Sequence, residues 1–400
     1  MRLLEGLQRD ASLSAIVAGF VAVLVGYTSS AVLVFQAAAA LGASPAEIGS
    51  WMAALGLGMG LSSIALSLRY RAPVLTAWST PGAAMLIGVA AGVPMSDAIG
   101  AFLVCALLIT VAGFSGLFER LMSRIPISLA AGMLAGVLLR FGLDVFVAMK
   151  AQFVLVFAIF CVYIVGRRLF PRYAVVAALT VGIGIAGMQD LLRLDALRFS
   201  MVEPVFTLPT FSVSALIGIA LPLFVVTMAS QNVPGVAVIR ASGYQVPISP
   251  VIGWTGITAL VLAPFGGFAF NLAAITAAIC MGREAHPDPD KRYVAAVAAG
   301  CFYLVLGVLG ATVGALFLAF PRELVVAVAG LALLGTIGGG LATALRDEHE
   351  REPALITFLV TASGVSLLGI GSAFWGIVAG TLVLLVLRMG SGTTGKQRGG

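Results

Sequence analysis

Charge is scarce in this chain. Only 10% of its 400 residues are Asp, Glu, Lys or Arg, where a soluble domain carries about 25%. So few charges cannot coat a wet surface, and lipid must serve as the solvent. Histidine is almost missing. His286 and His349 both lie in charged loops, and no HExxH is present. No GxSxG elbow is followed by a plausible histidine and acid. The cysteines Cys105, Cys161, Cys280 and Cys301 lie in apolar runs with no CxxC pair, which reads as packing by small hydrophobes. These absences argue against a membrane enzyme and leave no metal or cofactor site to expect. The net charge of +6 is scattered through short loops, without the stripe that nucleic acid requires.

Long apolar runs are what the chain does have: 60% of it is hydrophobic. A membrane helix needs about 20 such residues. The runs predict an all-α polytopic membrane protein with fourteen crossings, at 12–38, 45–68, 73–94, 96–118, 126–146, 150–167, 171–188, 212–238, 246–264, 265–282, 292–318, 322–344, 353–369 and 371–388. Most Lys and Arg then fall on one side. Arg140, Lys150, Arg193, Arg198 and Arg322 are the exceptions. The positive-inside rule puts both termini in the cytoplasm. Met1 to Asp10 leads into an uncleaved first span.

The polar stretch 189–211 divides the crossings into two sets of seven. An odd number per half requires the halves to enter the membrane in opposite senses, as in the inverted repeats of secondary transporters. A sequence echo supports the repeat. Gly42, Pro45, Ile48-Gly49 and Trp51 follow the first crossing, and Gly243, Pro247, Ile252-Gly253 and Trp254 follow the eighth.

Two segments break helix rules at matching places. In Pro73–Ala84 an extended start precedes Ser79-Thr80-Pro81, a hydroxyl cap followed by a helix-starting proline. In Pro264–Ala274 a Gly- and Phe-rich stretch precedes Asn271, the candidate cap. Each reads as a short strand meeting a half-helix. Facing half-helix N-termini expose unpaired N–H groups and positive dipole ends, which favour an anion. Tyr27, Phe35, Trp78, Phe268 and Phe270 offer rings to an aromatic substrate. Polar clusters Tyr27-Thr28-Ser29-Ser30 and Gln36, then Thr227, Ser230-Gln231-Asn232 and Pro234, lie in the first and eighth crossings. They must face protein or a cavity. No Asp or Glu lies inside the first, third, eighth, ninth or tenth crossings. The residues point to a small aromatic carboxylate as substrate, without revealing a coupling group.

The stretches PVLTAWSTPGAAML (73–86), TMASQNVPG (227–235) and PFGGFAFNLAAI (264–275) resemble the benzoate/proton symporter (BenE) family, and the likeness runs from about Ser14 to Leu387. That resemblance implies import of benzoate with a proton across a bacterial inner membrane. It also implies the fold of nucleobase and sulfate-type carriers, with a core that slides like an elevator against a gate. The core would take 1–122 and 212–320, the gate 123–188 and 321–390, with 189–211 an outer linker and 391–400 a disordered tail. Substrate would meet Tyr27, Trp78, Ser79, Thr80, Gly82, Gln231, Asn232, Phe268, Phe270, Asn271 and Ala273. Nucleobase-type relatives commonly have an acid in the eighth crossing, where this chain has Gln231-Asn232. A same-fold carrier of a nucleobase or other small anion is the alternative. A passive channel would need charged rings or a continuous polar lining, which the sequence lacks. Glycines 132, 136, 335, 338, 339 and 340 suit either internal packing or a homodimer.

Overall fold

The computed structural model describes residues 7, 9–89, 92–122, 125–192, 202–309, 320–365, 367 and 372–391. Expectations for the Thr28 and Ser29 side chains, residues 193–201 of the outer linker, the end of the eleventh crossing and the tail beyond 391 lie outside the described residues.

Helix α1 (Leu13–Ala40) starts where Ser12 Oγ accepts from the Ala15 N–H. Helix α2 (Pro45–Tyr70) opens on a reciprocal capping box of Ser44 and Glu47, which satisfies two otherwise orphaned donors. Strand β1 (Thr76–Ala77), α3 (Thr80–Val89), α4 (Met95–Phe114) and the short α5 (Leu117–Met122) follow. Helices α6 (Ile127–Ala151), α7 (Phe153–Leu169) and α8 (Ala174–Met188) complete the first half. The second half holds α9 (Val213–Ala241), α10 (Ile248–Leu262), β2 (Asn271–Leu272), α11 (Ile275–Met281) and α12 (Tyr293–Leu309). It ends in α13 (Arg322–Ala344), α14 (Arg351–Ala362) and α15 (Ser372–Ser391).

Among the described residues seven helices are long and apolar enough to cross a membrane: α2, α4, α6, α9, α10 with its following turn, α12 with its preceding turn, and α13. The third and tenth predicted crossings are not continuous helices. Among the described residues of these two crossings only 80–89 and 275–281 are α-helical, each after a two-residue strand. Large apolar side chains such as Leu107, Val111, Phe153 and Leu385 lie exposed, which suits a surface facing lipid.

The two halves pack reciprocally. Helix α2 lies along α12, and its counterpart α10 lies along α4. Helix α1 meets α11, and α9 meets α3. Strands β1 and β2 pair antiparallel, Thr76 opposite Leu272 and Ala77 opposite Asn271. Helices α6, α7, α8, α13, α14 and α15 pack chiefly among themselves, with α6 against α13 and α14. This second group meets the first where α6 touches α9 and α13 touches α1 and α11.

The echo noticed in the sequence has a backbone cause. Gly42 and Gly243 both take positive φ, 75° and 86°, which glycine adopts without steric cost. Each ends its helix in the same way. Gly42 N–H donates to Ala39 O and Ala43 N–H to Ala38 O; Gly243 N–H donates to Arg240 O and Tyr244 N–H to Ile239 O. Both are Schellman closures. The tryptophans of the echo diverge, Trp51 being buried and Trp254 exposed. The glycine-rich stretches also divide. Gly132 and Gly136 lie against the α14 backbone, whereas Gly338 and Gly339 face open space. Of the cysteines, Cys105 and Cys280 are buried, but Cys161 is half-buried and Cys301 exposed, so buried packing holds for two.

Candidate functional site

The crossing of β1 and β2 is the centre of the first helix group. A two-residue pair cannot satisfy its own backbone, and side chains from α2 and α9 finish the work. Ser67 Oγ donates to Val74 O and accepts from Val74 N–H, and the Thr76 N–H donates to Ser63 Oγ at 3.0 Å. Thr76 Oγ1 lies 2.6 Å from Ser62 Oγ. On the other strand the Leu272 N–H donates to Asn232 Oδ1 at 3.0 Å. These partners are buried, where an unpaired polar group costs about twice what a made hydrogen bond returns. The serines of α2 escaped the sequence reading. Their signal is a row of hydroxyls at 62, 63 and 67 on a helix that has no water to face.

Helix α9 is not regular. It widens into π-helix at Leu216–Ala220 and at Met228–Asn232. Each wide turn lies just ahead of a proline, Pro222 and Pro234. A proline lacks the N–H for the carbonyl four residues back and clashes with it, so the helix opens. The second opening contains Gln231 and Asn232. Asn232 is fully buried and Gln231 half-buried. Asn232 Nδ2 donates to Met228 Sδ at 3.2 Å, leaving its oxygen on β2.

Beside β1, the Trp78 ring stands edge-on to Tyr27 with centroids 5.8 Å apart. Its Nε1–H donates to Ser30 Oγ, which donates to Gly26 O. Ser79 caps α3: its Oγ accepts from the Gly82 N–H at 3.1 Å, and Thr227 Oγ1 of α9 donates to it, also at 3.1 Å. Ala83 N–H returns to Ser79 O. Pro81 has no N–H, so with Gly82 and Ala83 paired the Thr80 amide is the remaining N–H of the first turn of α3. Thr80 is half-buried. Gly82 approaches α9 so closely that a Cβ there would lie 2.6 Å from Leu223 Cδ1.

The second break corrects several expectations. Asn271 does not cap a helix. It lies in β2, and α11 begins at Ile275 after Ala274, with no side-chain cap. The local cause is Ala269, whose φ of +45° turns the chain so that Asn271 Nδ2 donates back to Ala269 O at 2.9 Å. Asn271 Oδ1 is buried with no protein partner. The Ala273 N–H is taken by Leu75 O at 2.9 Å. Lacking a cap, α11 retains the amides of Ile275, Thr276 and Ala277. Phe268 and Phe270 do not join Trp78. Phe268 is enclosed by Trp51 and Phe102, with centroids 5.6 and 5.5 Å away. Phe270 lies on Gly58, where a Cβ would come within 2.2 Å of its ring. Both rings anchor the extended segment to α2 and α4. Gln36 is exposed and Phe35 half-buried.

Two acidic groups tie helix ends together. Glu119 accepts from the Ile248 and Ser249 N–H groups at the start of α10, as a carboxylate on a helix N-terminus should. Asp10 accepts from Arg71 at 2.6 Å and from the Tyr293 hydroxyl at 3.0 Å. It ties the entry of α1 to the end of α2 and the start of α12. Burial raises the Asp10 pKa, but the Tyr293 hydroxyl and the Arg9 and Arg71 cations outweigh it, and the net shift is downward. Among the described residues no cluster of three metal-binding side chains exists.

Reciprocal helix pairs around two short crossed strands define the fold of a multi-span membrane carrier. A solved structure of SLC26A9 matches it with a TM-score of 0.52 at 11% identity, over 96% of this chain and 66% of that one. The chain belongs to the benzoate membrane transport protein family, whose model matches residues 9–386. The "Inner membrane protein YdcO" of Escherichia coli is 51% identical over 94% of this chain and 96% of its own length. A "Benzoate membrane transport protein" of Acinetobacter baylyi is 40% identical over 96% of this chain and 98% of its own length. Membership places the chain among inner-membrane transport proteins and outside the enzymes.

Proposed function

We propose that this protein is a secondary active transporter that imports benzoate or a close aromatic carboxylate with a proton. The β1–β2 crossing carries the reading: it ends two half-helices in the protein interior, beside a buried aromatic pair. The carboxylate would take the uncommitted amides of Thr80 and the α11 start, where the dipole ends favour negative charge. Tyr27 and Trp78 would hold the ring. Ser79, Gly82, Asn232, Ala273, Phe268 and Phe270 would set the shape of the site through the contacts above, while Gln231 and Asn271 Oδ1 supply polar groups to the bound acid. The 40% identity to a benzoate transporter supports this substrate over a nucleobase or inorganic anion.

In this reading, 1–122 and 212–320 form a core that slides against a gate of 123–188 and 321–390, an elevator built on a seven-plus-seven inverted repeat. The separate packing of the two helix groups supports it. Both termini lie in the cytoplasm, in keeping with the distribution of Lys and Arg. The proton rests on the likeness to benzoate/proton symporters.

The test is uptake of radiolabelled benzoate into proteoliposomes with and without an inward proton gradient. Accumulation only with the gradient supports symport. Thr80→Leu and Asn271→Leu should abolish uptake while leaving folded protein in the membrane. Full uptake by both would reject this site.

A further inference from the structure

Glu284 joins the two helix groups. It lies three residues beyond the last residue of α11, the half-helix that ends β2. Its side chain is 7% exposed, and its Oε1 accepts from Nη1 of Arg167 near the end of α7. Arg167 also donates to the Tyr163 hydroxyl one turn earlier, at 3.3 Å. From α13 the backbone at Gly335 comes close enough that a Cβ would lie 3.2 Å from Glu284 Oε1. The carboxylate therefore reaches both halves of the second helix group.

The loop that presents Glu284 is held firmly. Arg292 is buried and donates to Met281 O, His286 O and Pro287 O at 2.8, 2.7 and 3.3 Å. The Tyr244 hydroxyl donates to Pro289 O at 2.9 Å. With the loop fixed to α11 and α12, Glu284 cannot follow α7 by bending. Its second oxygen, Oε2, is buried without a partner. A carboxylate in that position depends on its one cation. Arg167 is half exposed and can be solvated on its own, but separation leaves the buried carboxylate without its cation, which is unfavourable.

We propose that Glu284 and Arg167 form a latch across the sliding boundary, and that its opening is an obligatory step of translocation. The step rests on the elevator reading above, whereas the pairing itself does not. Any movement of β2 and α11 relative to α7 and α13 must pull this carboxylate from this guanidinium. The latch holds the arrangement seen here and releases as a unit, because its loop is clamped at Arg292.

The test compares the full-length protein with Glu284→Gln, Arg167→Gln and the double variant. The first readout is amide hydrogen exchange of the purified protein. Arg167→Gln, which leaves the Glu284 carboxylate buried without its cation, should speed exchange at both 160–169 and 275–286 by at least about tenfold, and Glu284→Gln and the double variant should speed it less and alike, since with Gln in place of Glu284 the loss of Arg167 removes nothing further. Acceleration confined to the mutated segment, or effects that add, would overturn the latch. The second readout is exchange of labelled for unlabelled benzoate across proteoliposomes. Glu284→Gln and the double variant should shift its rate alike, with benzoate affinity held within about threefold. Coupled hydrogen exchange with unchanged transport rates would overturn the obligatory step. Absence of benzoate exchange in the unaltered protein would instead reject the substrate reading and leave the pairing to be judged by the first readout.

Discussion

Asn232 Oδ1 accepts the Leu272 backbone N–H at 3.0 Å, and through that one bond a wide turn of α9 supports the strand that ends at α11. Asn232 lies at the end of the wide turn that precedes Pro234. Asn232→Ala leaves the Leu272 amide buried and unpaired, at a cost of about 1–3 kcal/mol. A lowered unfolding temperature in detergent, together with loss of benzoate uptake, is the expected outcome. An unchanged melting curve would show that β2 is held by other means.

Ser79 has two tasks, capping α3 and receiving Thr227. Ser79→Ala should cost about 0.5–2 kcal/mol as a lost N-cap and weaken benzoate binding by letting the first turn fray. Thr227→Val removes only the outer donor and should do less to both. Measuring melting and benzoate affinity for the two variants checks the order.

Phe270 and Trp78 should separate in their effects, although both are buried aromatics beside a strand. Phe270→Ala opens a cavity over Gly58 and should destabilise by about 3–5 kcal/mol, seen as lost folded yield. Trp78→Phe keeps a ring but drops the donor to Ser30. It should yield folded protein with benzoate affinity reduced by a factor on the order of ten.

Asp10 gives a pH dependence with a definite sign. Its folded pKa lies below the unfolded value of 3.8, so its stabilising effect is fully present above that value. It is lost as pH falls through the lower folded pKa. Melting curves of the unaltered protein and Asp10→Asn should be well separated at neutral pH and converge in acid below about 3.8. A gap that widened in acid would contradict the assignment.

The sequence by itself determined the solvent. Scarce charge and long apolar runs need no tertiary information, because each reflects burial of one segment in lipid, and the seven-plus-seven count remains an expectation of the sequence. It also marked both helix breaks, since Pro73–Ala84 and Pro264–Ala274 violate local helix rules. Their internal detail was decided by packing. Asn271 has the chemistry of a cap, but the left-handed turn at Ala269 places it in a strand four residues before α11. Phe268 and Phe270 have the chemistry of substrate-stacking rings, yet Trp51, Phe102 and Gly58 enclose them. The pairing of Glu284 with Arg167 spans 117 residues of sequence, so no local pattern announces it. Local rules govern what one segment can do alone; which buried polar atom finds a partner depends on what the rest of the chain brings beside it.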